Sequence, residues 1–154
     1  MTFNEKNSLK AMKRFLDSKG LKYDVDEDDL VIRYGLKLDC KLGGYNVRCY
    51  IEEEYVKYLA VIRMNASEDT RKKVAEFITR ANYGLKFGRF DIDMSDGEIM
   101  YRIDVHVPNF TMNEQLADNL VGFTDAMLER YGDGLLMVMM GFAEPEEAIK
   151  KVEG

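Results

Sequence analysis

Asp91, Asp93 and Ser95 place oxygen-bearing side chains at alternate positions of the run DIDMSDGE, Asp91 to Glu98. This is how a calcium-binding loop begins. Such a loop needs oxygen ligands at positions 1, 3 and 5, a glycine at 6 and a bidentate glutamate at 12. Counted from Asp91, position 6 is Asp96 and position 12 is Arg102, a cation where the carboxylate belongs. The standard site is excluded. The Asp96-Gly97 dipeptide is instead a strong hairpin signal when apolar residues alternate on both sides of it. A two-residue turn there would pair Met94 with Ile99, Ile92 with Tyr101 and Phe90 with Ile103 on one face. The other face would pair Asp91 with Arg102 and Arg89 with Asp104. Exposed ion pairs of this kind contribute about 0.2–1 kcal/mol each, so they help register while the apolar face supplies stability. The stretch is expected to be a turn.

The remaining reactive side chains do not gather by spacing. His106 is the single histidine, and the hairpin count puts it on the charged face beside Arg102 and Asp104. Nucleophilic catalysis needs a thiol within reach of it. Cys40 and Cys49 fall instead on the apolar face of another predicted hairpin, where thiols act as small hydrophobes. The acidic runs DVDEDD (Asp24 to Asp29) and EEE (Glu52 to Glu54) fall at predicted turns, with no ligands aimed at one point for a divalent cation or for paired-carboxylate hydrolysis. GLKFG, Gly84 to Gly88, follows a helix and precedes a strand, the reverse of a phosphate loop, and lacks its Lys-Ser/Thr pair. The residues therefore nominate no catalytic, cofactor-binding or metal-ligating position, and no cofactor. Met137, Met139 and Met140, with Met127 earlier, are either core filling or an adaptable binding surface.

Which elements would position these residues? An amphipathic helix carries Leu9, Met12, Phe15 and Leu16, opened by a Thr2–Glu5 capping box and stopped at Gly20. From Leu30 to Leu42 every even position is apolar, which predicts a strand with one wet face. A turn at Gly43-Gly44 would set Leu42 against Tyr45, Cys40 against Val47, Leu38 against Cys49 and Leu36 against Ile51, with Asp39 facing Arg48. A turn at Glu27-Asp28 would pair Val25 with Leu30 and Tyr23 with Ile32. One near Glu53-Glu54 would pair Ile51 with Val56, Cys49 with Tyr58 and Tyr45 with Ile62. All these apolar pairs share one face, and a one-residue slip would invert each strand. A four-stranded antiparallel meander follows.

Ser67 to Asn82 reads as a helix with Val74, Phe77, Ile78 and Ala81 inward and an acidic first turn. Another helix is expected over about Asn113 to Arg130, capped by Thr111 and Glu114 and interrupted by Gly132 and Gly134. Leu135 to Phe142 is apolar all round, which fits a buried helix or a buried strand, and a separate helix is the preferred reading. Pro145 then opens a terminal helix.

The 154 residues carry no repeat or low-complexity linker and predict a single domain, 1–154. Net charge is −6, which disfavours nucleic acid and anionic membrane, since an acidic surface gains nothing from counterion release. MTFNEKNSLK has no apolar signal segment, and LLMVMMGFA (Leu135 to Ala143) is too short to span a bilayer. The two cysteines are read as free thiols of a reducing compartment, so the expected location is cytoplasmic. In that compartment the glycosylation triplets Asn65-Ala66-Ser67 and Asn109-Phe110-Thr111 are chance matches.

The run RANYGLKFGRFDIDMSDGEIMYRIDVHV, Arg80 to Val107, resembles the YbjN-like proteins, described as bacterial sensory-transduction regulators. The order of elements and the tail YGDGLLMVMMGFAEPEEAIKKVEG resemble that family as well. Asn82, Phe87, Gly88, Phe90, Asp96, Gly97 and Tyr101 match its pattern, and each also has a structural reading. The resemblance implies an α+β fold with a curved antiparallel sheet (a meander plus a second hairpin) packed with helices, like type III secretion chaperones. It also implies a dimeric, non-enzymatic module that binds a protein or peptide client. Fold alone does not imply secretion-chaperone activity. Apolar surface and an available sheet edge would do the binding, the acidic surround favouring basic or amphipathic clients. The alternative is a divalent-metal-dependent enzyme, or a metal or small-ligand sensor, built on the acidic turns.

Overall fold

The computed structural model describes residues 1–108 and 111–154. The Asn109-Phe110-Thr111 triplet therefore lies partly outside the described residues. The elements are α1 (Phe3–Ser18), β1 (Tyr23–Asp26), β2 (Val31–Lys37), β3 (Gly44–Ile51), β4 (Tyr55–Ile62), α2 (Arg71–Tyr83), β5 (Arg89–Ile92), β6 (Ile99–His106), α3 (Glu114–Met139) and α4 (Pro145–Glu153). The strands form one six-stranded sheet in the order β1-β2-β3-β4-β6-β5, antiparallel throughout. The α+β class and the meander-plus-hairpin plan are those expected from the sequence.

Period-two patterning explains the two faces. Tyr34, Tyr45, Val47, Cys49, Ile51, Val56, Tyr58, Ala60, Ile62, Phe90, Ile99 and Tyr101 form one buried face under the helices. On the opposite face a cross-strand row runs Asp24, Arg33, Arg48, Leu59, Arg102, Arg89. α1 starts with the expected capping box: Glu5 N–H donates to Thr2 Oγ1, and Thr2 N–H donates to Glu5 Oε2. Gly20 ends it at φ +66°. α2 buries Val74, Phe77, Ile78 and Ala81 as expected, but it begins at Arg71, so its first turn is not acidic.

Three hairpin registers differ from the expected ones, each by an even number of residues. Ile32 lies opposite Val25 where Tyr23 was expected, a shift of two. Tyr45 lies opposite Leu36 where Leu42 was expected, a shift of six. Ile92 lies opposite Ile99 where Tyr101 was expected, again two. Even shifts keep every side chain on its face, so apolar alternation alone does not distinguish among them. The β3–β4 register is as expected, with Ile51 opposite Val56 and Tyr45 opposite Ile62.

Two of the shifts have a cause in the contacts around the turn. β2 ends at Lys37 because residues 39–42 leave the sheet and dock on α3. Asp39 N–H donates to Glu129 Oε1 at 3.3 Å, Lys41 N–H to Asp133 Oδ1 at 2.9 Å, and Cys40 Sγ lies 3.8 Å from Leu128 O. Asp39 therefore does not face Arg48, which pairs with Glu98 at 2.8 Å. In the β5–β6 hairpin Asp93 takes over the turn. Its Oδ1 accepts from Ser95 N–H and Oγ–H at 2.8 and 2.6 Å, and Gly97 N–H donates to Asp93 O at 2.7 Å. The loop then spans Met94 to Gly97 rather than Asp96-Gly97. The expected ion pairs survive as diagonals, Asp91–Arg102 at 3.7 Å and Arg89–Asp104 at 3.6 Å.

α3 runs unbroken through Gly132 and Gly134, so Leu135 to Met139 is its last turns and not a separate helix. Its cap is Asn113, whose Oδ1 accepts from Leu116 N–H at 2.8 Å, and not Thr111. The glycines serve packing. A Cβ on Gly132 would lie 2.7 Å from Leu42 Cδ1, and one on Gly134 would lie 2.8 Å from Val152 Cγ1. They give up helix propensity so that the 39–42 loop and α4 can sit close.

The edges of the sheet are unlike. At β5 the Asn82 amide imitates a neighbouring strand: its Oδ1 accepts from Phe90 N–H at 2.8 Å and its Nδ2 donates to Phe90 O at 2.9 Å. Replacing Asn82 with alanine should cost about 1–3 kcal/mol, because two part-buried backbone groups lose their partner. A lowered urea midpoint together with faster exchange of the Phe90 amide is the expected signature. At β1, among the described residues, no segment outside the sheet bonds the backbone of Tyr23 to Val25.

Candidate protein-binding surface

α3 buries Ala117, Leu120, Thr124, Leu128, Tyr131, Leu135 and Val138, a three-four spacing that turns one face to the core. A second stripe at helical spacing, Phe123, Met127, Arg130 and Met137, runs beside it and is at least partly open to solvent. Phe123 stacks on Phe87 with ring centres 4.7 Å apart and planes 12° apart, both rings remaining exposed.

The stripe ends in a Schellman turn. Gly141, at φ +75°, donates to Val138 O, and Phe142 N–H donates to Met137 O at 2.9 Å. This turn leaves Met140 53% and Phe142 68% exposed. The expected all-round burial of Leu135 to Phe142 is thus only half correct. Leu135, Val138 and Met139 are core, Leu136 and Met137 are half-buried, and Met140 to Phe142 are surface.

Between α3, α4 and the 39–42 loop lies an open groove of about 490 Å³. Met137, Phe142, Ala143, Ala148 and Val152 supply its apolar lining. Three cations and three carboxylates rim it. Glu129 and Asp133 accept the amides of Asp39 and Lys41. Lys41, Arg130 and Lys151 have no carboxylate within 4.0 Å among the described residues. Apolar sockets beside unpaired cations can seat aliphatic or aromatic side chains flanked by acids.

The residues weighed for chemistry are dispersed. His106 is exposed and stacks on Tyr55, ring centres 4.8 Å apart. Cys49 is fully buried, and desolvation pushes its thiol up to about 12. Cys40 is half-buried in the docked loop rather than on the sheet, its thiol likewise raised by burial. In the acidic turns Asp26 accepts the amides of Asp28 and Asp29, Glu27 pairs with Lys13 and Glu52 with Lys57. Among the described residues no three His, Cys, Asp or Glu side chains are placed to hold a metal ion.

The arginines of the outer-face row are neutralised, Arg33 by Asp24, Arg48 by Glu98, and Arg89 and Arg102 by Asp91 and Asp104, while Arg63 just past the end of β4 donates to Asn46 Oδ1 and Tyr45 O. No described helix is long and apolar enough to cross a membrane. The residues matching the family pattern act structurally. Tyr101 donates to Phe87 O at 2.6 Å, a Cβ on Gly88 would lie 2.6 Å from the Tyr101 hydroxyl, and Asp96 accepts Glu98 N–H. Reasoning from sequence missed the α3–α4 groove, because it depends on a long helix that two glycines seemed to divide.

Among the described residues, a six-stranded antiparallel sheet packed with four helices defines an α+β protein. The chain belongs to the YbjN family, described as "Putative bacterial sensory transduction regulator", whose model matches residues 8–137. Its fold is that of "YbjN, a putative transcription regulator from E. coli", at a TM-score of 0.59 and 11% identity, covering 86% of this chain and 89% of that one. No curated protein matches the chain. The family description is that of a regulator.

Proposed function

We propose that this chain is a cytoplasmic, non-enzymatic regulatory module that binds a polypeptide segment and acts as a homodimer. The observation that carries the reading is the exposed stripe of α3 leading into the α3–α4 groove, with Met137 and Phe142 in its lining and Met140 exposed at the end of the helix. Flexible methionines suit a surface that accepts more than one sequence. The rim charges, three of each sign, favour a segment with apolar anchors and charged flanks. The free edge of β1 offers a second contact through backbone pairing. DNA binding is less well supported, because the four arginines of the outer-face row are already paired and the net charge is −6.

The test is a tagged pull-down from the host lysate, followed by the same assay on a Met140→Ser, Phe142→Ser double variant. One recurrent near-stoichiometric partner is expected, and the double variant should recover it about tenfold less well, as loss of interface anchors does. Its melting temperature should barely move, because both side chains are already exposed. Equal recovery by the variant would exclude the groove as the binding surface. Light scattering tests the dimer, which should weigh twice the 17.8 kDa chain.

A further inference from the structure

A second cavity lies between the end of α1, the end of β2 and the middle of α3. It measures about 370 Å³ and shares no lining residue with the groove. Phe15, Leu21, Leu36 and Val121 form its apolar walls. Asp125 is half-buried at its inner side. One carboxylate oxygen accepts the Tyr45 hydroxyl at 2.6 Å. Among the described residues no lysine, arginine or histidine comes within 4.0 Å of this carboxylate, whereas Asp118 and Glu129 flank it on the same helix. The hydroxyls behind it carry no positive charge. Tyr34 donates to Tyr58 at 2.7 Å deep in the core, and burial keeps Tyr34, Tyr45 and Tyr58 protonated. A half-buried carboxylate between apolar walls, bonded to a phenol and to no cation within 4.0 Å among the described residues, can accept an ammonium on its free oxygen.

Two further features define what would fit. Lys19 carries its ammonium 5.8 Å from the centre of the Phe15 ring and 3.8 Å from Asp118. The chain therefore places one alkylammonium at the rim by cation–π and ionic contact. Gly122 also lines the cavity, and a Cβ there would meet nothing within 4 Å. Packing does not require this mid-helix glycine, which lowers helix propensity and leaves the mouth open.

We propose that this cavity binds a small organic cation, a primary ammonium on an apolar alkyl or aryl body. The ammonium would meet the free oxygen of Asp125, and the body would lie along Phe15, Leu21, Leu36 and Val121. The volume sits at the small end of the usual range for ligand pockets, about 300–1,000 Å³. A free amine and the lysine side chain of a polypeptide share this chemistry. The inference stands apart from the groove and does not require it.

The experiment is a nitrogen-15 amide titration of the full chain with 2-phenylethylamine and, separately, with uncharged 2-phenylethanol. Shifts at Leu21, Leu36, Val121 and Gly122 are expected with the amine and not with the alcohol. Asp125→Asn keeps an acceptor for Tyr45 but loses the charge, and should weaken amine binding at least about tenfold. Gly122→Leu should abolish it by filling the mouth without changing any charge. Equal shifts with the alcohol, unchanged binding by Asp125→Asn, or no shift at millimolar amine would each overturn the proposal. A Leu-Lys-Leu peptide with blocked ends, set against its acetyl-lysine form, separates the sources. Binding of the free amine alone marks a small-molecule site, and lysine-dependent peptide binding marks a side-chain socket.

Discussion

Gly97→Ala is expected to lower stability by about 3 kcal/mol or more, through backbone strain compounded by a backbone clash. Gly97 sits at φ +82°, in the left-handed region that side chains rarely adopt. An added Cβ there would collide with the carbonyl of Ala66. Neither partner is a flexible side chain, so the two loops would have to separate. Separation would break the bond from Ala66 N–H to Gly97 O at 2.8 Å. It would also disturb Arg71, which donates to Met94 O at 3.1 Å and to Ala66 O at 3.2 Å. Gly141→Ala is the matched control, since φ is +75° and a Cβ would meet nothing within 4 Å. That variant should show left-handed strain alone, about 1–2 kcal/mol. Urea unfolding of the two variants isolates the clash, and equal losses would mean that the approach of the loops is not what requires glycine.

The same residue shows what can be read from sequence and what cannot. Asp96-Gly97 marked a hairpin correctly, because a left-handed glycine between alternating strands is a local property. The length of the turn was not local. It was fixed by Asp93 accepting from Ser95 and by Arg71, more than twenty residues earlier, bracketing the loop. Alternation likewise assigned Tyr34, Tyr45 and Val47 to the buried face while leaving the register free by even steps. Cys40 and Leu42 continued the pattern of a strand although they leave the sheet, since burial against α3 makes the same demand on side-chain type as burial within a strand. Gly132 and Gly134 looked like breaks because sequence shows their low helix propensity and hides the residues they make room for.

The two candidate sites were invisible for a related reason. The cavity at Asp125 joins residues 15, 21, 36, 121 and 125, and the groove joins residues 41, 137 and 152. Neither leaves a motif in a single window. Tyrosines 34, 45 and 58 were read only as apolar members of a strand face. Their hydroxyls instead bond in two pairs, Tyr34 to Tyr58 in the core and Tyr45 to Asp125 of α3.

Tyr45→Phe should cost about 1.5–3 kcal/mol at neutral pH, the range for a hydrogen bond to a charged group, and much less in acid. Burial raises the pKa of Asp125 above the ordinary carboxylate range, the Tyr45 hydroxyl opposes that rise, and the Glu129 charge adds to it. A raised folded-state pKa means that the contribution of Asp125 to stability is fully present below its unfolded pKa and is lost as pH rises through the folded value. Removing the hydroxyl raises the folded pKa further, so the variant goes on losing stability over a range where the native chain has stopped. The gap between the two should therefore be small below the ordinary carboxylate range and widen toward neutrality. Asp125→Asn offers no charge to stabilise, so Tyr45→Phe made in that background should cost less and show no pH dependence. Urea midpoints of the four proteins at acid and neutral pH complete the cycle. A cost independent of pH would show that Tyr45 does not hold an ionised Asp125, and the cavity would then lack the anion that an organic cation needs.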